Sequence, residues 1–130
     1  MYMRILIVED NVINILVITG MLTKYGLTTV TVNNGAQALE HLKKQTCDVI
    51  LMDIEMPVMD GRQATKIIRQ QEQRNGGHIP IIAVTGHVQQ EYQKMLLTEG
   101  FDGHVAKPYN LADITAELHR VTSKPYTSLL

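Results

Sequence analysis

Short apolar runs of strand length alternate along this chain with segments whose apolar residues recur every three or four positions. Arg4-Ile5-Leu6-Ile7-Val8 is the first run, rich in β-branched residues, and predicts a buried strand. It stops at Glu9-Asp10-Asn11. Ile15, Ile18 and Leu22 then fall at helical spacing and predict a helix over 14–24, ended by Gly26. Residues 27–32 predict a second strand, more polar and therefore nearer a sheet edge. Asn34-Gly35 has the chemistry of a hairpin turn. Ala38, Leu39 and Leu42 follow at helical spacing, however, so Asn34 reads as a helix cap.

The next apolar run, over 48–53, is continuous, the pattern of a strand buried on both faces, and it ends in a lone carboxylate, Asp53. Pro57 and Asp60-Gly61 supply turn chemistry after it. Ala64, Ile67 and Ile68 mark a third helix that stops before 74–77. A fourth strand over 79–84 is halted at Thr85-Gly86, and a fourth helix over 89–99, with Tyr92 and Leu96 on one face, is closed by Gly100. Residues 104–106 form a short fifth strand ending at Lys107-Pro108. Leu111, Ile114, Leu118 and Val121 define an amphipathic last helix. Residues 124–130 lack periodicity and read as a tail or linker after a domain spanning 1–123. Strict alternation of strand and helix predicts an α/β fold with a parallel sheet covered on both faces. Such sheets carry their sites at the carboxyl ends of the strands.

That rule selects a small set of residues. Immediately past strands one, three, four and five stand Glu9-Asp10, Asp53, Thr85 and Lys107. Each alone has a plain structural explanation: a loop acid, a helix cap, a solvated cation. Asp53 by itself reads equally well as the cap of the next helix. All of them on one edge make a site. Clustered carboxylates repel, and holding them ionised calls for a cation. Acid oxygens suit a hard ion such as Mg²⁺, which binds one or two carboxylates together with a phosphate. Zinc ligand spacings, a Walker-type loop and a Rossmann fingerprint are all absent.

Composition narrows the picture further. The 130 residues suit one domain, 45% apolar, with a formal net charge of -1 and scattered Lys and Arg. This argues against a nucleic-acid-binding surface. Cys47 is the only cysteine, so no intrachain disulfide forms; it reads as a small buried residue in a reducing compartment. No apolar run is long enough for a membrane span and no signal-peptide layout is present, which predicts a soluble, cytoplasmic domain without membrane contact.

Val8-Glu9-Asp10-Asn11, Met52-Asp53-Ile54-Glu55-Met56-Pro57-Val58-Met59-Asp60-Gly61, Ala83-Val84-Thr85 and Ala106-Lys107-Pro108 together resemble the receiver domain of two-component response regulators. The wording is most similar to receivers of hybrid sensor histidine kinases. The resemblance covers roughly residues 4–121. It implies a flavodoxin-like, doubly wound sheet of five parallel strands in the order 2-1-3-4-5 with five helices. It also implies that Asp53 is the phosphoacceptor. Asp10, Asp53 and the backbone carbonyl of Glu55 would ligate Mg²⁺, and Glu9 would act through water. Thr85 and Lys107 would bind phosphoryl oxygens, with Lys107-Pro108 a cis peptide. The implied partners are a sensor histidine kinase as phosphodonor and a histidine phosphotransfer protein as acceptor, docked on the first helix near Asn14, Ile15 and Ile18. The domain would assist its own phosphorylation and dephosphorylation.

Two positions depart from the family pattern. Gly86 follows Thr85 where Ala is more usual, and His104 stands where many members carry an aromatic switch residue that works with Thr85. His41, His78 and His119 read as surface residues, whereas His87 lies near the mouth of the site. Three other readings compete: a stand-alone response regulator, a receiver that only binds, and a Mg²⁺-dependent phosphatase with an aspartyl nucleophile. Glu55 could nominally serve such a phosphatase as its second acid, but the chain has no spare length for a substrate cap.

Overall fold

The computed structural model describes residues 3–87 and 89–122. Five strands and five helices alternate: β1 (Arg4–Val8), α1 (Val12–Lys24), β2 (Thr28–Val32), α2 (Gly35–Lys44), β3 (Val49–Asp53), α3 (Gly61–Asn75), β4 (Ile81–Thr85), α4 (Gln90–Thr98), β5 (Gly103–Ala106) and α5 (Leu111–Thr122). The strands form one parallel sheet in the order β2-β1-β3-β4-β5. The polar strand β2 lies at an edge, as its composition requires, and the fully buried β3 lies at the centre. The expected tail at 124–130 lies outside the described residues.

Side-chain alternation divides the core into two layers. Ile5, Ile7, Val49, Leu51, Ile82 and Val84 pack with Ile18 and Leu22 of α1 and Ile114 and Leu118 of α5. Leu6, Val8, Ile50, Met52, Ile81 and Ala83 pack with Ala38, Ala64, Ile68 and Leu96 from α2, α3 and α4. Four of the five helices begin where a side chain satisfies a free N–H group of the first turn, and α4 begins after Gln89 without one. Asn11 Oδ1 accepts from Asn14 N–H, Asn34 Oδ1 from Gln37 N–H, and Asn110 Oδ1 from Asp113 N–H. Asp60 and Gln63 form a reciprocal capping box on α3. Asn34 is therefore a cap, as its downstream spacing requires.

Three readings are corrected. Helix α3 runs through Asn75 rather than stopping before Arg74, because only Gly76, with φ of 86°, leaves helical backbone. Strand β4 begins at Ile81, since Ile79 and Pro80 lie before the ladder and Pro has no N–H to give it. Ile18, expected on a docking surface, is fully buried against the sheet. The exposed apolar face of α1 is instead Val12, Ile13, Leu16 and Val17.

Cys47 is half-buried, and burial pushes its thiol up to about 11, so it stays protonated at neutral pH. Among the described residues, no helix is long and apolar enough to cross a membrane.

Gly61 opens α3 directly against the end of β3. A Cβ there would fall on the Asp53 carbonyl oxygen and near Met52 Cγ at 2.9 Å. Backbone cannot yield as a flexible side chain can, so Gly61→Ala should lower stability by about 1–3 kcal/mol. Gly20, in the interior of α1, has nothing within 4 Å of a built Cβ. Gly20→Ala should raise stability by about 0.5–1 kcal/mol. Urea unfolding midpoints measure both, and shifts of the same sign would contradict this packing.

Candidate functional site

The sheet register carries the selected residues to one edge. Val8 lies beside Met52, Asp53 beside Val84, and Thr85 beside Ala106. Glu9 and Asp10 follow β1 and Lys107 follows β5. The order of connection reverses between β1 and β3, the switch point at which parallel sheets open a crevice. Carboxylate oxygens of Glu9, Asp10 and Asp53 lie within 4.8 Å of one another. Lys107 Nζ lies 3.0 Å from Asp53 Oδ1 and 4.0 Å from Glu9 Oε1. The Lys107-Pro108 peptide is cis, as the resemblance implies.

Two of the three acids are buried, Glu9 with 1% and Asp53 with 2% of its surface exposed, while Asp10 faces solvent. A carboxylate removed from water needs donors in its place. Glu9 Oε2 accepts from the N–H groups of Asp10 at 3.1 Å and Asn11 at 3.2 Å. Its Oε1 accepts from the Tyr109 hydroxyl at 2.7 Å. Asp53 Oδ1 accepts from Lys107 and, at 3.4 Å, from the Glu55 N–H. Burial pushes the Asp53 carboxyl up from 3.8 to about 6, and the neighbouring Glu9 reinforces this against the pull of Lys107. Burial also works to raise Glu9, but its Tyr109, Asn11, Asp53 and Lys107 contacts outweigh it and hold Glu9 below 4.5. Burial first, and then Glu9, push the Tyr109 phenol far above its usual value, so it remains a donor.

Thr85 is buried, and its Oγ1 accepts from the His87 N–H at 3.0 Å. That leaves the hydroxyl proton to donate. The exposed Glu55 carboxylate meets His87 Nε2 at 3.2 Å, and the His87 ring lies 5.0 Å from that of Tyr92. His87 thus ties the β3–α3 loop to the start of α4. His104 aligns with Ala83 in the sheet, and its N–H donates to Glu117 Oε2 at 2.9 Å. Sequence reasoning did not identify Tyr109. Its available signal was a hydroxyl-bearing aromatic two residues past Lys107, on the same turn.

The donor set fits a hard divalent cation: three carboxylates, with neither His nor Cys among them. Without one, ionising Asp53 opposes folding. A carboxyl raised by folding from 3.8 to about 6 contributes stability below pH 4, which is lost as pH rises through 6. The loss is at most about 3 kcal/mol. Asp53→Asn cannot ionise, so its gain in melting temperature over the parent should grow from pH 4.5 to pH 7.5 in EDTA. A gain that is flat or shrinks with pH would show that Asp53 is not strained by its neighbours.

Comparison with known proteins agrees with this geometry. The family model for the response regulator receiver domain matches residues 5–119. The sensor histidine kinase GacS of Pseudomonas protegens is 41% identical over 106 residues, which are 81% of this chain but 12% of that protein. The chain therefore spans only about an eighth of that relative's length. A crystal structure of a sensor histidine kinase receiver domain from Pseudomonas aeruginosa, with magnesium coordinated in its active site cleft, is 39% identical with a TM-score of 0.84, covering 95% of this chain and 100% of that one. The Saccharomyces cerevisiae receiver domain of Ssk1, crystallised with the histidine phosphotransfer protein Ypd1, is 29% identical with a TM-score of 0.87, covering 93% of this chain and 89% of the other. The parallel five-stranded sheet, the acids gathered at its carboxyl edge and the family match over residues 5–119 place this chain in the response regulator receiver domain family.

Proposed function

We propose that this domain takes a phosphoryl group from a phosphohistidine of a sensor kinase onto Asp53, with Mg²⁺, as a step in a hybrid-kinase phosphorelay. The observation that carries this reading is the placement of Lys107 Nζ 3.0 Å from Asp53 within a cluster of three acids. An Asp53 carboxylate oxygen attacks phosphorus, the phosphorus–nitrogen bond of the donor breaks, and the imidazole leaves with the bond's electron pair. The product is an acyl phosphate that water later hydrolyses. Asp10, Asp53 and the Glu55 carbonyl would hold Mg²⁺, with Glu9 reaching it through water. The ion supplies charge neutralisation at the phosphoryl oxygens. Lys107 transfers its ammonium from the Asp53 carboxylate to a phosphoryl oxygen, and Thr85 donates its hydroxyl proton to another. Movement of Thr85 toward that oxygen would be read at His104 and α4. Beryllofluoride, a phosphoryl mimic, should then shift the NMR signals of both, whereas changes confined to the acids would indicate a rigid domain.

The relay reading draws on two further observations. The GacS relative is a sensor kinase in which the receiver-like segment is a small part. The exposed Val12, Ile13, Leu16 and Val17 give α1 an apolar face beside the acidic edge. A histidine phosphotransfer protein, the partner crystallised with the yeast neighbour, suits that face.

The protein incubated with acetyl phosphate and Mg²⁺, and weighed intact, should gain one phosphoryl group. Asp53→Asn and EDTA should each abolish the gain; undiminished labelling of either sample rejects Asp53 or the metal. Leu16→Asp, at a position 67% exposed, should slow transfer to a phosphotransfer protein at least about tenfold without changing acetyl phosphate labelling. If no phosphotransfer protein accepts the label while an isolated regulator binds the phosphorylated form tightly, a stand-alone response regulator replaces the relay reading.

A further inference from the structure

Glu9 is the most deeply buried of the three acids, and its carboxylate is held from two directions. Oε2 is fixed by two N–H groups of its own loop. Oε1 is fixed from across the molecule by the Tyr109 hydroxyl at 2.7 Å. Tyr109 lies between the cis Lys107-Pro108 turn and Asn110, which caps α5. Its half-buried ring packs on the core layer that α1 and α5 cover. The hydroxyl is therefore presented by an anchored ring rather than by a mobile side chain.

The consequence concerns Lys107. Its ammonium lies 3.0 Å from Asp53 Oδ1 but 4.0 Å from Glu9 Oε1, so it pairs with the first and only approaches the second. A buried Glu9 stripped of the Tyr109 hydroxyl would draw a nearby cation to itself, and Lys107 stands 4.0 Å away. Tyr109 satisfies Oε1 and removes the competition.

We propose that the Tyr109 hydroxyl is a positioning group for the acidic pocket: by holding Glu9 it keeps Lys107 on Asp53 and leaves the three carboxylates oriented for a divalent cation. This rests on the reading of the pocket as a Mg²⁺ site. The Tyr109 hydroxyl meets the Glu9 carboxylate. It acts through Glu9, as groups behind metal ligands generally do.

Tyr109→Phe keeps the ring and removes the oxygen. Calorimetric titration of the whole chain with MgCl₂ should show affinity about tenfold weaker than the parent. The Mg²⁺ concentration for half-maximal labelling by acetyl phosphate should rise by the same factor, while the rate at saturating Mg²⁺ stays within about twofold. In a Glu9→Gln background the same substitution should have little effect, because the coupling runs through that carboxylate. A Tyr109→Phe protein that binds Mg²⁺ within about twofold of the parent, or that loses as much affinity in the Glu9→Gln background, overturns the inference and leaves the metal reading standing. A parent that binds no Mg²⁺ overturns both.

Discussion

Charge crowding at the carboxyl edge of the sheet is the constraint to which the rest of the structure answers. Three carboxylates and one ammonium leave a local charge of minus two when all are ionised, and two of the acids are almost wholly removed from water. Burial, reinforced by the neighbouring Glu9, pushes the Asp53 carboxyl above its ordinary value. A site of this kind persists only where the surrounding backbone cannot relax away from it. Strand β3 ends in Asp53 with a neighbour on either side in the sheet, and Gly61 brings the start of α3 against its carbonyl. The capping box at Asp60 and Gln63 fixes that helix start. Local rules of helix initiation thus hold the central acid in place.

The remaining acids are treated differently according to their burial. Glu9 is enclosed by two backbone N–H groups and a phenol that stays protonated, and it is the acid whose ionised form is favoured. Asp53 has the ammonium but carries the penalty of burial beside Glu9. Asp10 is exposed and solvated. One ionised anchor, one strained acid and one open acid make a pocket with a graded demand for positive charge. The same distinction explains why the separate identities of Glu9 and Asp10 matter although they are adjacent in sequence.

Most of this architecture was legible in the chain because each element carries its own local signal. The continuous apolar run into Asp53 specifies a central strand, and the Thr-rich run at 28–32 an edge one. The five residues at the carboxyl edge followed from counting one step past each strand. What was not legible has a common cause: it depends on contacts between residues far apart in sequence. Tyr109 reaches Glu9 across 100 positions, and nothing in its local pattern announces a hydrogen bond. On α1, helical spacing identified Ile18 and Leu22 as apolar positions, but Val12, Ile13 and Leu16 are equally apolar. Only the direction from which the sheet covers the helix decides which are buried. The end of α3 failed for a simpler reason, since Arg74 and Asn75 are compatible with either helix or turn and Gly76 alone forces the exit.

The outer edge of the sheet makes the same point about long-range chemistry from the opposite side. β5 is an edge strand, and an edge strand exposes N–H and C=O groups that can template pairing with another chain. Here α5 covers them with one ion pair. Glu117 Oε2 accepts from the His104 N–H, and Arg120 donates to the Asp102 carbonyl oxygen at 2.7 Å while holding Glu117. Gly103 leaves the room, since a Cβ there would run into both side chains. His104 is therefore fixed at its backbone to α5, while its β4 neighbour Ala83 lies only two residues from Thr85. The strand that delivers Lys107 to the acids is thereby secured along its free side. The ammonium at the strand end and the ion pair at the strand edge are two parts of one arrangement, in which α5 and its preceding turn govern where the positive charge of the site is placed.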